Sequence, residues 1–129
     1  MNKNYCLKTK DLMIGDWVIL SSNGKVPDIV CKVEEICADS LYDTVMVTDC
    51  DNPISIEEIK PVPLTEEILE NNHFNPEYEI IWWKDWWYNK SIFHIECEKG
   101  DFVIKTNIKY VHELQHILNM CGIEKEIIV

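Results

Sequence analysis

Apolar and polar residues alternate along the first sixty positions in short runs separated by turn residues. "LMIGDWVIL" passes through Gly15-Asp16 into a strand from Trp17 to Leu20, and "SSNGK" follows with an Asn23-Gly24 pair suited to a hairpin turn. "KVPDIVCKVEEI" reads as a second strand, confined by Pro27 to an edge or bulge at that point. "LYDTVMVTD" is a third strand, and "NPISIEEIKPVPL" adds a short turn of helix around Ile56 to Ile59. Short strands at about ten-residue spacing predict a small barrel, for which the SH3-like barrel is the natural candidate.

The second half begins with a helix. In "PLTEEILENNHF" Thr65 is placed to cap the N-terminus, Glu66 and Glu67 complement its positive end, and Asn72 is expected to take a left-handed exit. The following stretch from Glu77 to Asn107 alternates like sheet. A two-residue turn at Lys84-Asp85 would set Trp83 opposite Trp86 and Trp82 opposite Trp87, the two pairs on opposite faces. A second hairpin turns at Lys99-Gly100-Asp101, with Phe93, Ile95 and Cys97 on one face and Ile92, His94 and Glu96 on the other. Asn107 is the expected cap of a last helix ending at Gly122, after which "EKEIIV" is read as a final edge strand.

That last helix holds the most specific chemical pattern in the chain. His112, Glu113 and His116 form H-E-x-x-H, the spacing with which zinc hydrolases put two imidazoles on one helix face beside a glutamate base. At about 100° per residue, Tyr110, Val111, Leu114, Ile117, Leu118 and Cys121 make an apolar stripe, and His112 and His116 fall opposite it. Both rings are therefore expected to face solvent. A metal would need a third ligand from another element: His94 is expected on the far side of the sheet, His73 is the remaining upstream histidine, and Gly122 stands where a metzincin continuation would place a ligand.

Composition narrows the function classes. The formal net charge is −11 and all twelve basic residues are lysine, which disfavours phosphate-backbone binding and the bidentate contacts that arginine makes to bases and phosphates. No apolar run approaches the roughly 20 residues of a membrane span and the start lacks a secretory signal, so a cytoplasmic protein is expected. The six cysteines have no C-x-x-C spacing and read as free thiols in apolar positions. Nucleophile elbows and phosphate-binding glycine loops are absent from the sequence. Four tryptophans within six residues, Trp82, Trp83, Trp86 and Trp87, are the larger departure from average composition. One pair on each face of a hairpin leaves one pair exposed unless both faces are covered.

Three stretches, "LMIGDWV", "IKPVPLTEEILENN" and "YVHELQHILNMCGIEKEI", resemble a group of small proteins of no known activity from gut anaerobic bacteria and their phages. In that group the last helix is similar to "YVHxLQHALRLCG", and glutamine often replaces the glutamate corresponding to Glu113. A hydrolase could not easily spare its general base, so the resemblance weakens the enzyme reading and brings no known activity with it. Here Asn119 and Met120 stand in place of the group's Arg and Leu, and Asn72-His73 in place of its Asn-Gly helix exit.

The resulting expectation is an α+β chain: an N-terminal SH3-like small β-barrel over residues 1–62, then residues 63–129 as a helix, an antiparallel sheet and a C-terminal helix, with one shared core or two. The leading functional expectation is a non-enzymatic interaction module, a phage or mobile-element accessory protein binding an unidentified protein partner or a second copy of itself. Its contact residues would be Trp82, Trp83, Trp86, Trp87, His112 and His116, with no cofactor. Two alternatives stand beside it: a zinc-dependent hydrolase with His112 and His116 as ligands and Glu113 as base, and an acidic inhibitor that mimics nucleic acid.

Overall fold

The computed structural model describes residues 7–21, 28–38, 43–72, 80–85, 92–99, 101–123 and 126–129. It is a mixed α+β structure of antiparallel sheets, with two α-helices among the described residues, divided into two compact units, Met1–Val62 and Pro63–Val129. No helix among the described residues is long and apolar enough to cross a membrane.

Among the described residues the first unit is a five-stranded sheet built from β1 (Trp17–Leu20), β2 (Ile29–Ala38), β3 (Asp43–Val47), β4 (Ile54–Ser55) and β5 (Ile59–Pro61), in the order β4-β3-β2-β1-β5 and without a closed barrel. Asn23-Gly24 and Pro27 lie outside the described residues, but β1 and β2 pair in antiparallel register from Trp17–Lys32 to Leu20–Ile29. Gly15 adopts φ +95°, a conformation favourable only to glycine, and donates its N–H to Val33 O at 2.7 Å. Asp16 Oδ2 accepts from Met13 N at 2.8 Å, so the Gly-Asp pair sets the approach to β1. The register of β2 against β3 slips between Val33 and Glu35, which bends the long strand and lets its two halves serve different neighbours. Period-two alternation then sends Val18, Cys31, Val33, Val45, Val47 and Ile59 to one interior, each at most 3% exposed. Full burial of each aliphatic side chain contributes on the order of 1.5–3 kcal/mol. The expected helical turn is a 3₁₀ turn, Ile56–Glu58, capped by Ser55 Oγ.

The second unit is a three-stranded sheet with α1 (Glu66–Asn71) and α2 (Val111–Met120). Its strands β6 (Ile80–Lys84), β7 (Phe93–Lys99) and β8 (Phe102–Ile108) run in the order β6-β7-β8. Thr65 Oγ1 accepts from Ile68 N at 3.2 Å and caps α1 as expected. Phe93, Ile95 and Cys97 are buried on one face of β7, together with Leu114, Ile117 and Leu118 of the α2 stripe. Gly122, at φ +70°, ends α2, with Ile123 N reaching back to Leu118 O at 2.8 Å.

Four local expectations are corrected. The chain does not turn at Lys84-Asp85: Lys84 pairs with Phe93, and Asp85 N donates to Ile92 O at 3.0 Å, so Trp82 and Trp83 face Ile95 and His94. Trp86 and Trp87 lie outside the described residues. Asn107 is not a helix cap but part of β8, opposite His94; the N-cap is Tyr110. Asn72 leaves α1 at φ −91°, not in the left-handed region, because its side chain has a different task. It is buried, donates to Ile68 O (2.6 Å) and Ile128 O (2.9 Å), and accepts from Ile128 N (2.8 Å). Residues 126–129 accordingly form no strand and are held by a side chain instead.

Free thiols Cys31, Cys97 and Cys121 are buried, Cys50 is half-buried and Cys37 is exposed.

Candidate functional site

The H-E-x-x-H residues begin the last helix, where local backbone chemistry decides their surroundings. The first N–H groups of a helix lack intrahelical partners, and Glu113 supplies one. Its Oε1 accepts from Lys109 N and Tyr110 N, both at 3.0 Å. The carboxylate that would be a hydrolase's base is thus engaged as a helix cap.

His112 is 2% exposed, which corrects the expectation that both histidines face solvent. Its ring lies flat on Tyr110, with centroids 5.9 Å apart and planes 13° apart, while His116 meets it edge-on at 5.6 Å. The cause is position along the helix more than angle around it. Pro63 bridges to Tyr110 and Leu64 N donates to Lys109 O at 2.9 Å, so another segment runs beside the helix start. Along this one side of α2, exposure rises from buried His112 through half-buried His116 to Met120 at 59%. Burial, and next the charge of Glu113, push the Tyr110 phenol above its ordinary value.

A hydrolytic zinc does not fit this arrangement well. Two imidazoles stand together, but among the described residues no three His, Cys, Asp or Glu side chains gather as ligands, and Glu113 holds backbone N–H groups. His73 lies outside the described residues, and His94 is on the opposite face of the sheet from Phe93 and Ile95. Between β8 and α2 runs a groove lined by Thr106, Asn107, Glu113, His116 and Met120.

The outer face of the three-stranded sheet holds the second constellation. Strand pairing arranges it in rows: Trp83, His94 and Asn107; then Ile81, Glu96 and Lys105; then Glu98 and Val103. Pleating separates the adjacent tryptophans. Trp82 turns inward and meets Phe93 edge-on at 6.2 Å, whereas Trp83 turns outward and stacks on His94 at 5.4 Å with planes 25° apart. His94 Nδ1 is hydrogen-bonded to Asn107 Oδ1, which holds the ring under the indole. Trp83 is 48% exposed, Ile81 56% and Val103 46%. Glu96 and Lys105 form an ion pair at 3.6 Å across the strands. Alternation in the sequence anticipated a tryptophan on each face; what it missed was His94, whose cross-strand partner depends on where the chain reverses.

Compared with known protein families, with curated proteins and with solved structures, the chain finds no match.

Proposed function

We propose that the chain is a non-enzymatic interaction module that meets a protein partner through the outer face of the β6-β7-β8 sheet. The observation that carries this reading is Trp83, half exposed on a sheet face with exposed Ile81 two residues along the same strand. An exposed indole beside an exposed aliphatic side chain, rimmed by His94, Glu96, Lys105 and Asn107, is unfavourable in water and suits a contact site. The strand order β4-β3-β2-β1-β5, the bulged β2 and the 3₁₀ turn between β4 and β5 support an SH3-like small barrel as the scaffold of the first unit. An accessory protein of a phage or mobile element is the setting proposed for such a module. Burial of His112 moves the proposed contact away from the helix histidines and onto the sheet.

The test uses parent protein and a Trp83→Ala, Ile81→Ala variant as matched baits, with thermal stability measured for both. The reading requires a partner retained by the parent alone and melting temperatures that agree within a few degrees. A variant destabilised as strongly as Trp82→Ala would make this face part of the core and remove the proposal.

A further inference from the structure

The outer face of the three-stranded sheet combines an exposed indole with carboxylates. Trp83, His94, Glu96, Lys105 and Asn107 line one groove on it, and exposed Glu98 lies two residues along β7 from Glu96. One side of the indole rests on His94, so the 48% exposure of Trp83 belongs to the rest of its surface. A ring with a free π-surface beside carboxylates attracts a cation, and a planar guanidinium satisfies both at once. It stacks on the indole and offers paired N–H donors to a carboxylate. The local counter-ion is weakly held: Lys105 is 3.6 Å from Glu96 with its side chain 70% exposed, an ion pair that an incoming cation can displace at small cost.

The size and charge of the face select among occupants. Two seven-residue strands and the five-residue β6, at about 3.4 Å per residue and about 4.8 Å spacing, give a face of roughly 310 Å². A stable dimer needs about 800 Å² from each partner. A second copy would also bring a further net charge of −11 against the first. A short segment has the right footprint, and a basic one has the complementary charge.

We propose that this face binds a short basic segment of a partner protein, with an arginine guanidinium laid on Trp83 and drawn by Glu96 and Glu98. The proposal rests on reading the face as a contact surface and adds the chemistry of what occupies it.

The experiment titrates the full chain with a blocked (Gly-Arg)₃ peptide and, as an equal-charge control, (Gly-Lys)₃, measuring affinity for the parent and every variant by calorimetry and, in the chains that retain Trp83, following its indole N–H by NMR with the Trp82 indole as internal reference. The expected result is a saturable shift of the Trp83 signal, arginine binding at least about threefold tighter than lysine, and binding weakened about fivefold or more in Trp83→Ala and in Glu96→Gln combined with Glu98→Gln. Trp83→Phe keeps a ring and should retain most of the affinity, which separates loss of stacking from loss of folding. Equal binding of both peptides, or binding unchanged in Trp83→Ala, is diffuse attraction to an acidic protein and overturns the proposal. Sedimentation of the same samples distinguishes the broader reading. Oligomers lost in Trp83→Ala would keep the face as a contact surface while overturning the arginine partner, and neither oligomer nor peptide response would overturn the arginine partner and leave the contact surface to the paired-bait test.

Discussion

Asn72 and Ile128, 56 residues apart, exchange two hydrogen bonds between one side-chain amide and one backbone unit, at 2.8 and 2.9 Å. The amide imitates a strand neighbour: it accepts from the N–H and donates to the C=O of the same residue. A third bond, to Ile68 O at 2.6 Å, closes the end of α1 with the same group. The last residues are thereby tied to the first helix of the unit, and Ile127, 1% exposed, is set into the core beside the tie.

Asn72→Ala should therefore destabilise the protein by about 2–3 kcal/mol, because three hydrogen bonds worth about 1 kcal/mol each are lost with a buried side chain. Asn72→Asp should cost at least as much, since it removes the donor and turns a carboxylate toward two carbonyl oxygens. Hydrogen exchange gives the specific readout. The Ile128 amide, protected in the parent, should exchange freely in Asn72→Ala, whereas Asn72→Asp keeps an acceptor oxygen for it.

Glu113 is a cap, so its substitutions should follow capping chemistry. Glu113→Ala should cost about 1 kcal/mol by denaturant unfolding, whereas Glu113→Gln, which keeps an acceptor oxygen, should cost only a few tenths. A glutamate acting as a general base would instead be lost in both, with no such ordering in stability.

The two helix histidines should separate in a stability measurement. His112→Ala removes a buried ring stacked on Tyr110 and should cost about 2–3 kcal/mol, while His116→Ala, at a half-buried position, should cost under about 1 kcal/mol. Protein purified without a histidine tag should carry far less than one equivalent of zinc, unchanged by His116→Ala. Stoichiometric zinc lost in that variant would restore the hydrolase alternative.

Adjacent tryptophans should behave oppositely. Trp82→Ala, against Phe93 on the inner face, should lower stability by about 2–3 kcal/mol, and Trp83→Ala on the outer face by about 1 kcal/mol or less. Thermal melts of the two single variants decide this.

Alkaline pH should weaken the fold through Cys31. Burial pushes its thiol above the ordinary value, so the folded chain keeps a proton that the unfolded chain releases. The contribution is complete below the unfolded value and is lost as pH rises through the folded one. Denaturant midpoints should therefore fall from about pH 8.5 upward, and Cys31→Ala should reduce the slope. Tyr110, also raised, acts in the same direction at higher pH.

Local patterns in the sequence were enough for what depends on near neighbours. Period-two alternation put Phe93, Ile95 and Cys97 on one face and separated Trp82 from Trp83, because a pleated strand leaves each side chain only two directions. Thr65 and Gly122 marked helix ends, because capping is settled within a few residues.

Tertiary structure alone decided the rest. A helical wheel treats every turn of α2 as having the same surroundings, so it could not foresee that His112 would be buried at the helix start while His116, four residues later, stays half-buried. Likewise Trp83 could be placed on a face, but its partner His94 follows from the strand register, which slides with every residue added to the connection. Asn72 carries no sign in sequence that its amide will hold Ile128. Direction along a strand or helix is a property of local geometry; the identity of what lies across from it is a property of how distant segments come together.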